Sequence, residues 1–154
     1  MDPLSAGGLH LGTFAYCAMS GFVPFMNTEV FLLYVGSTAS PADLPGLVVV
    51  SALGQMSTKS FLYLAGRGVL KLPGGRYRDR IDALRARLSG RGRKVNALTF
   101  VSALTGFPSF YAISVVAGAV GWPFASFALH GTAGRLLRFS AVLFLPGLLK
   151  GVIP

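Results

Sequence analysis

The chain has 154 residues, of which 53% are apolar and only 12% charged. Soluble domains carry about 25% charged residues, so this chain lacks the polar surface to coat a globule in water, and a soluble monomer is excluded. Fourteen basic against five acidic residues give a net charge of +9, which alone would fit a nucleic-acid binder or a membrane protein; a mean hydropathy of +0.62 decides for the membrane. The length fits a single domain, residues 1–154. Aromatic content of 12% argues against disorder despite 20 glycines and 9 prolines. Cys17 is the only cysteine, which leaves no internal disulfide, no CxxC pair and no cysteine-based zinc site.

Met1-Asp2-Pro3 carries no basic n-region, so insertion is expected to rely on the apolar segments themselves. A first half is read over 8–70. Its uncharged stretch 8–40 breaks at Gly21-Phe22-Val23-Pro24, where glycine and proline interrupt a helix. Glu29 follows the break. Residues 44–66 form a candidate span of 23 residues with Lys59 inside it. A cytoplasmic basic loop is read over 71–94, and the block from Arg67 to Lys94 carries ten of the fourteen cations. Within it Tyr77, Ile81, Leu84 and Leu88 share one helical face, with arginines on the others. That predicts an amphipathic helix on the membrane surface.

The second half is read over 95–153. Residues 95–134 hold no charge, and the run 95–121 breaks at Gly106-Phe107-Pro108. A helix is expected from about 122 to 138, followed by a segment 139–153 that Pro146-Gly147 makes marginal as a span. The positive-inside rule puts the basic loop in the cytoplasm and brings Arg135 and Arg138 to the same side.

The two halves share a frame. Gly21-Phe22-Val23-Pro24-Phe25 and Gly106-Phe107-Pro108-Ser109-Phe110 each open an apolar run ending in a glycine (Gly36; Gly118). Each then leads past a proline into a helix ending Gly66-Arg67 or Gly134-Arg135. Paired, interrupted hydrophobic segments are the sequence sign of an internally repeated transporter. The predicted fold is therefore an all-α, polytopic membrane protein. It has two inverted-repeat halves, each a re-entrant or broken helical hairpin followed by a transmembrane helix.

Glu29 is the sharpest candidate. A charged carboxylate inside a span costs about 2.5–3.5 kcal/mol on insertion scales, so Glu29 is read three ways: proton or ion carrier, ion-pair partner of Lys59, or helix cap after Asn27-Thr28. Lys59 lines up with Ser51 and Gln55 on one helix face, where an anionic head group would meet a charge and donors; its alternative is a snorkelling side chain. Asn27, Thr28 and Gln55 need polar partners in lipid. Arg67 and Arg135 follow glycines at inner helix ends, as topology anchors or head-group ligands. His130 is a titratable candidate or a structural hydrogen-bonding group. Trp122 and Tyr111 are read as interface aromatics.

These residues also carry a family resemblance. The order Pro24…Asn27-Thr28-Glu29…Gly36, then Gly54…Tyr63-Leu64-Ala65-Gly66-Arg67, resembles the first half of DedA/VTT-domain (SNARE-associated Golgi-type) membrane proteins, closest to the short YqaA-like branch. Gly92, Phe107-Pro108, Ala117-Gly118 and Phe124 resemble the second half, so the likeness covers about residues 15–140. It implies re-entrant hairpins related by inverted pseudo-symmetry and transport of a lipid phosphate between leaflets. Where such proteins carry an Arg-Phe-x-Pro-x-x-Arg stretch, this chain reads Ala103-Leu104-Thr105-Gly106-Phe107-Pro108-Ser109, without arginine. A small-solute or ion transporter and a non-catalytic membrane assembly protein remain the alternatives.

No P-loop, GxGxxG, HExxH or GxSxG pattern is present, and the scattered histidines and cysteine make a poor metal set. The expectation is a non-enzyme with no cofactor or metal. Membrane lipids and a possible second copy are the expected partners, with no nucleic acid, and the inner membrane is the expected location.

Overall fold

The structure is a computed structural model that describes residues 3–23, 27–69, 76–88 and 90–152. Among these it is entirely helical: α1 (Pro3–Ser20), α2 (Thr28–Thr38), α3 (Leu44–Val69), α4 (Arg76–Leu88), α5 (Gly92–Thr105), α6 (Phe110–Ala119) and α7 (Phe124–Val152). Within α3 and α7, residues 44–68 and 124–149 are long and apolar enough to cross a membrane. The helix expected within the basic loop is α4; the side chains of Tyr77 and Ile81, half of its expected apolar face, lie outside the described residues.

The chain divides into two compact units, Met1–Thr58 with Arg135–Pro154, and Lys59–Gly134. The boundary falls within α3 and within α7, so each long helix contributes one part to each unit.

In the first unit α1 and α2 form an antiparallel hairpin. The Tyr16 ring stacks on Phe31 at 3.9 Å between centroids, and nearer the tip the Thr28 hydroxyl donates to Ser20 Oγ at 2.7 Å. A parallel α3 lies against α1: a Cβ on Gly46 would meet the His10 ring, one on Gly54 would meet the Phe14 carbonyl, and one on Gly21 would meet Thr58. Helix α2 closes on α7, where a Cβ on Gly36 would strike the Leu143 carbonyl. Leu32, Leu47, Ala52, Phe139 and Leu143 fill the core between these helices.

The second unit uses the same device. Helices α5 and α6 form a hairpin: α5 ends at Gly106, left-handed with φ 80°, and the Ser102 hydroxyl donates to the Pro108 carbonyl across the turn. Gly134 of α7 meets the Phe100 carbonyl, the Ala103 Cβ and the Leu104 amide. Gly54 of α3 meets the Phe14 carbonyl, the Cys17 Cβ and the Ala18 amide. In each case the contacts are a carbonyl, the Cβ three residues on and the amide four residues on. Likewise Gly118 of α6 abuts the Tyr63 carbonyl of α3, as Gly36 of α2 abuts the Leu143 carbonyl of α7. Tyr63, Phe110, Phe124 and Phe127 pack as an aromatic cluster around Tyr63 and Phe127.

One boundary differs from the sequence reading. Residues 139–153 are not a separate segment, because α7 runs through Pro146. A proline inside a helix removes one hydrogen bond and crowds the preceding turn. Here that turn is held from outside, since Leu143 is fully buried against α2. Arg135 and Arg138 therefore lie near the middle of a 29-residue helix rather than at a helix end.

The glycine contacts predict a contrast in stability. Gly54→Ala places a Cβ 2.6 Å from the Phe14 carbonyl and should destabilise by about 1–3 kcal/mol, the usual cost of overpacking. Gly12→Ala, within α1 and facing open space, should be neutral or stabilise by up to about 1 kcal/mol through helix propensity. Thermal unfolding in detergent, followed by circular dichroism, measures both; equal shifts would contradict the packing.

Candidate functional site

In the first unit the polar groups gather where α1 gives way to α2. Asn27 is the N-cap of α2: its side-chain oxygen accepts from the amides of Glu29 at 3.1 Å and Val30 at 3.4 Å. With the cap supplied by Asn27, the Glu29 carboxylate is directed elsewhere, and it forms an ion pair with Arg138 Nη2 of α7. The Arg138 side chain is 20% exposed and that of Glu29 43%. Neither helix capping nor pairing with Lys59 describes Glu29 in this geometry.

Beside the pair runs a directional hydrogen-bond chain. The Ser20 hydroxyl donates to the Cys17 carbonyl at 2.9 Å, so its one proton is used. Thr28 must then donate to Ser20, which leaves Thr28 Oγ1 as an acceptor. Gln55 consequently turns its amide nitrogen to Thr28 at 2.8 Å and to Ser20 at 3.4 Å. This polarity fixes the other end of the amide: Gln55 Oε1 is buried with no hydrogen-bond partner, as is Thr13 Oγ1 on α1. Each such orphan in apolar surroundings costs about 1–3 kcal/mol. The Ser51 hydroxyl, one turn before Gln55, is buried beside the Cys17 thiol. Arg135 is buried on α7 with its guanidinium 5.8 Å from the centre of the Phe139 ring.

In the second unit Lys59 is 6% exposed, and its ammonium lies 5.2 Å from the centre of the Tyr111 ring. Tyr111 is the second residue of α6, as Glu29 is of α2. Arg67 is exposed and donates to the Tyr63 hydroxyl at 3.4 Å, while that hydroxyl donates to the Trp122 carbonyl. His130 Nδ1 lies 2.8 Å from the Ser126 carbonyl of its own helix.

The structure thus brings together Asn27, Thr28, Glu29 and Gln55 in one unit, and puts Lys59, Arg67 and His130 in the other. Of the hairpin breaks, Gly21 packs on Thr58 and Gly106 caps α5, while Pro108 follows Phe107 through a cis bond and accepts from Ser102. Pro24 lies outside the described residues. Sequence reasoning missed Arg138 as the partner of Glu29, and Ser20 and Thr13 as polar groups of the hairpin. The signal for Arg138 was available, because it is one of two charges between 95 and 149. Among the described residues no group of three or more His, Cys, Asp or Glu side chains could hold a metal.

No family model, curated protein or solved structure matches the chain.

The ion pair predicts non-additivity. Removing one partner leaves a poorly solvated charge, whereas removing both does not. Glu29→Gln and Arg138→Gln should each destabilise by about 1–3 kcal/mol, and the double variant by less than the sum of the two. A double-mutant cycle on unfolding in detergent reads the coupling; additive losses would rule out the pair.

Proposed function

We propose that the chain is a polytopic inner-membrane transporter of the DedA/VTT type that moves an amphipathic anion, a lipid phosphate, from one leaflet to the other. The observation that carries this reading is the balance of charge inside the helices. Within α1–α3 and α5–α7, the described charged side chains that are buried or half-buried are Glu29, Lys59, Arg135 and Arg138. Ionisable groups within spanning helices are costly and are by default functional. One acid among three bases leaves an excess positive charge, which attracts an anion and repels a cation.

Three further features support it. The two apolar helices suit a membrane-embedded chain. Two antiparallel hairpins, each followed by a long helix, are what broken, re-entrant segments require, and backbone interrupted within a membrane must be covered by protein or by a polar cavity. The repeated glycine contacts fit two related halves: each hairpin's first helix meets the long helix that follows it, and its second helix meets the other long helix. Such a reciprocal exchange is expected of an inverted repeat. The partnerless oxygens of Gln55 and Thr13 add hydrogen-bonding capacity for a polar head group beside the first hairpin.

Reconstitution tests the reading. Proteoliposomes containing the chain should flip a labelled anionic phospholipid, and Arg135→Ala and Lys59→Ala should each slow this at least tenfold while retaining helix content. Flipping that is absent from the unmodified chain, or indifferent to both substitutions, would remove the lipid-carrier reading. If only substitutions in the basic loop alter the phenotype in cells, the chain is an assembly protein.

A further inference from the structure

A second polar feature lies entirely within the unit Lys59–Gly134 and uses none of the charged groups assigned above. A cavity of about 450 Å³ opens between the C-terminal end of α4, the first turn of α5 and the α6–α7 connection; Arg85, Leu88, Gly92, Val120, Gly121 and Trp122 line it. This volume falls within the range of small-molecule sites, about 300–1,000 Å³.

Its floor is rigid by construction. Helix α6 ends in a Schellman turn: the Trp122 amide bonds to the Ala117 carbonyl at 2.9 Å and the Gly121 amide to that of Gly118 at 3.0 Å. Gly121 takes the left-handed position with φ 69°, which favours glycine. Trp122 is held at both ends, its indole nitrogen donating to Asn96 at 3.1 Å and its carbonyl accepting from Tyr63. Both glycines line the cavity. A Cβ on Gly121 would sit 3.2 Å from Arg85 Nη2, and one on Gly92 would meet the Trp122 ring at 3.4 Å.

The lining chemistry selects a ligand. Among the described residues Arg85 is the one charged side chain lining it, so a cation is repelled and an anion attracted, and the planar guanidinium suits phosphate oxygens. The remaining wall is apolar, formed by Leu88, Val120, Trp122 and Pro123. Arg87 adds positive charge on an exposed α4 without lining the cavity. A guanidinium at the edge of an apolar, aromatic-walled pocket, on a helix of surface-seeking amphipathic pattern, matches a phosphate that carries hydrocarbon.

We propose that this cavity is a binding site for the phosphate head group of an anionic membrane phospholipid, gripped by Arg85 against the Gly121–Trp122 turn. The site is independent of the transport reading: it stands if flipping is not observed.

The chain's single tryptophan is Trp122, so emission excited selectively from tryptophan rather than from the five tyrosines reports on this cavity. The full chain in neutral detergent is titrated with phosphatidylglycerol, phosphatidylcholine and inorganic phosphate. A saturable change in emission is expected with phosphatidylglycerol and not with phosphatidylcholine. Arg85→Ala should raise the half-saturating concentration at least tenfold, Arg85→Lys should raise it less, and Arg87→Ala, which removes the same charge, should change it less than twofold. Should Arg85→Ala lose helix content by circular dichroism, the comparison of Arg85→Lys with Arg87→Ala decides. Equal weakening by Arg85 and Arg87 substitutions would reduce the effect to diffuse electrostatics and overturn the site. So would an equal response to phosphatidylcholine, and saturation by inorganic phosphate at the same concentration would overturn the lipid as its source.

Discussion

Close approach between helix backbones is the constraint on which the rest of this structure depends. In lipid, hydrophobic burial offers little drive for one apolar helix to prefer another over acyl chains, so helices associate through van der Waals contact at small residues. Gly54 against α1 and Gly134 against α5 provide that contact, as do Gly36 against Leu143 and Gly118 against Tyr63. The functional candidates follow from it. With Gly54 seated on Cys17 and Ala18, its neighbour Gln55 comes within reach of Thr28 and Ser20 at the hairpin tip. With Gly36 seated on α7, the start of the same short helix brings Glu29 to Arg138.

Polar groups held this way cannot rearrange cheaply, which explains the order in the first unit. Asn27 caps α2, so Glu29 need not; Ser20 spends its proton on Cys17, so Thr28 and Gln55 have no choice of direction. A network with fixed polarity ends in a defined orphan, here Gln55 Oε1. Orphans of this kind are uncommon in folded proteins and call for a physical reason. Under the proposed function, capacity held ready for a polar ligand is such a reason.

Much of this was legible in the sequence. The helices α3 and α4, the breaks at Gly21 and Gly106, and the positions of Glu29 and Lys59 within apolar helices all follow from charge placement and from Gly and Pro, because apolar runs leave few positions where a charge can be overlooked. What was not legible depended on long-range contact. Pro146 reads as a helix end because local rules charge a proline with a lost hydrogen bond; packing of Leu143 on α2 overrides that, and with it the placement of Arg135 and Arg138 at a helix end. Gly54 and Gly134 read as ordinary members of apolar helices, since nothing local states which backbone lies opposite. The pocket beside Arg85 was invisible for the same reason: Trp122 is more than thirty residues away from Arg85 along the chain.

The two units repeat one packing device but not its chemistry. At the second position of the short helix one has Glu29 and the other Tyr111, and each meets a cation on a long helix, Arg138 in one and Lys59 in the other. A carboxylate cancels the charge of its partner; an aromatic face attracts a cation by about 0.5–2 kcal/mol and leaves the charge in place. The first of these pairings is therefore electrically neutral, while the second joins an ammonium to a ring without formal charge. Under the proposed function, a ring in place of a carboxylate at this position spares an anion one repulsive charge.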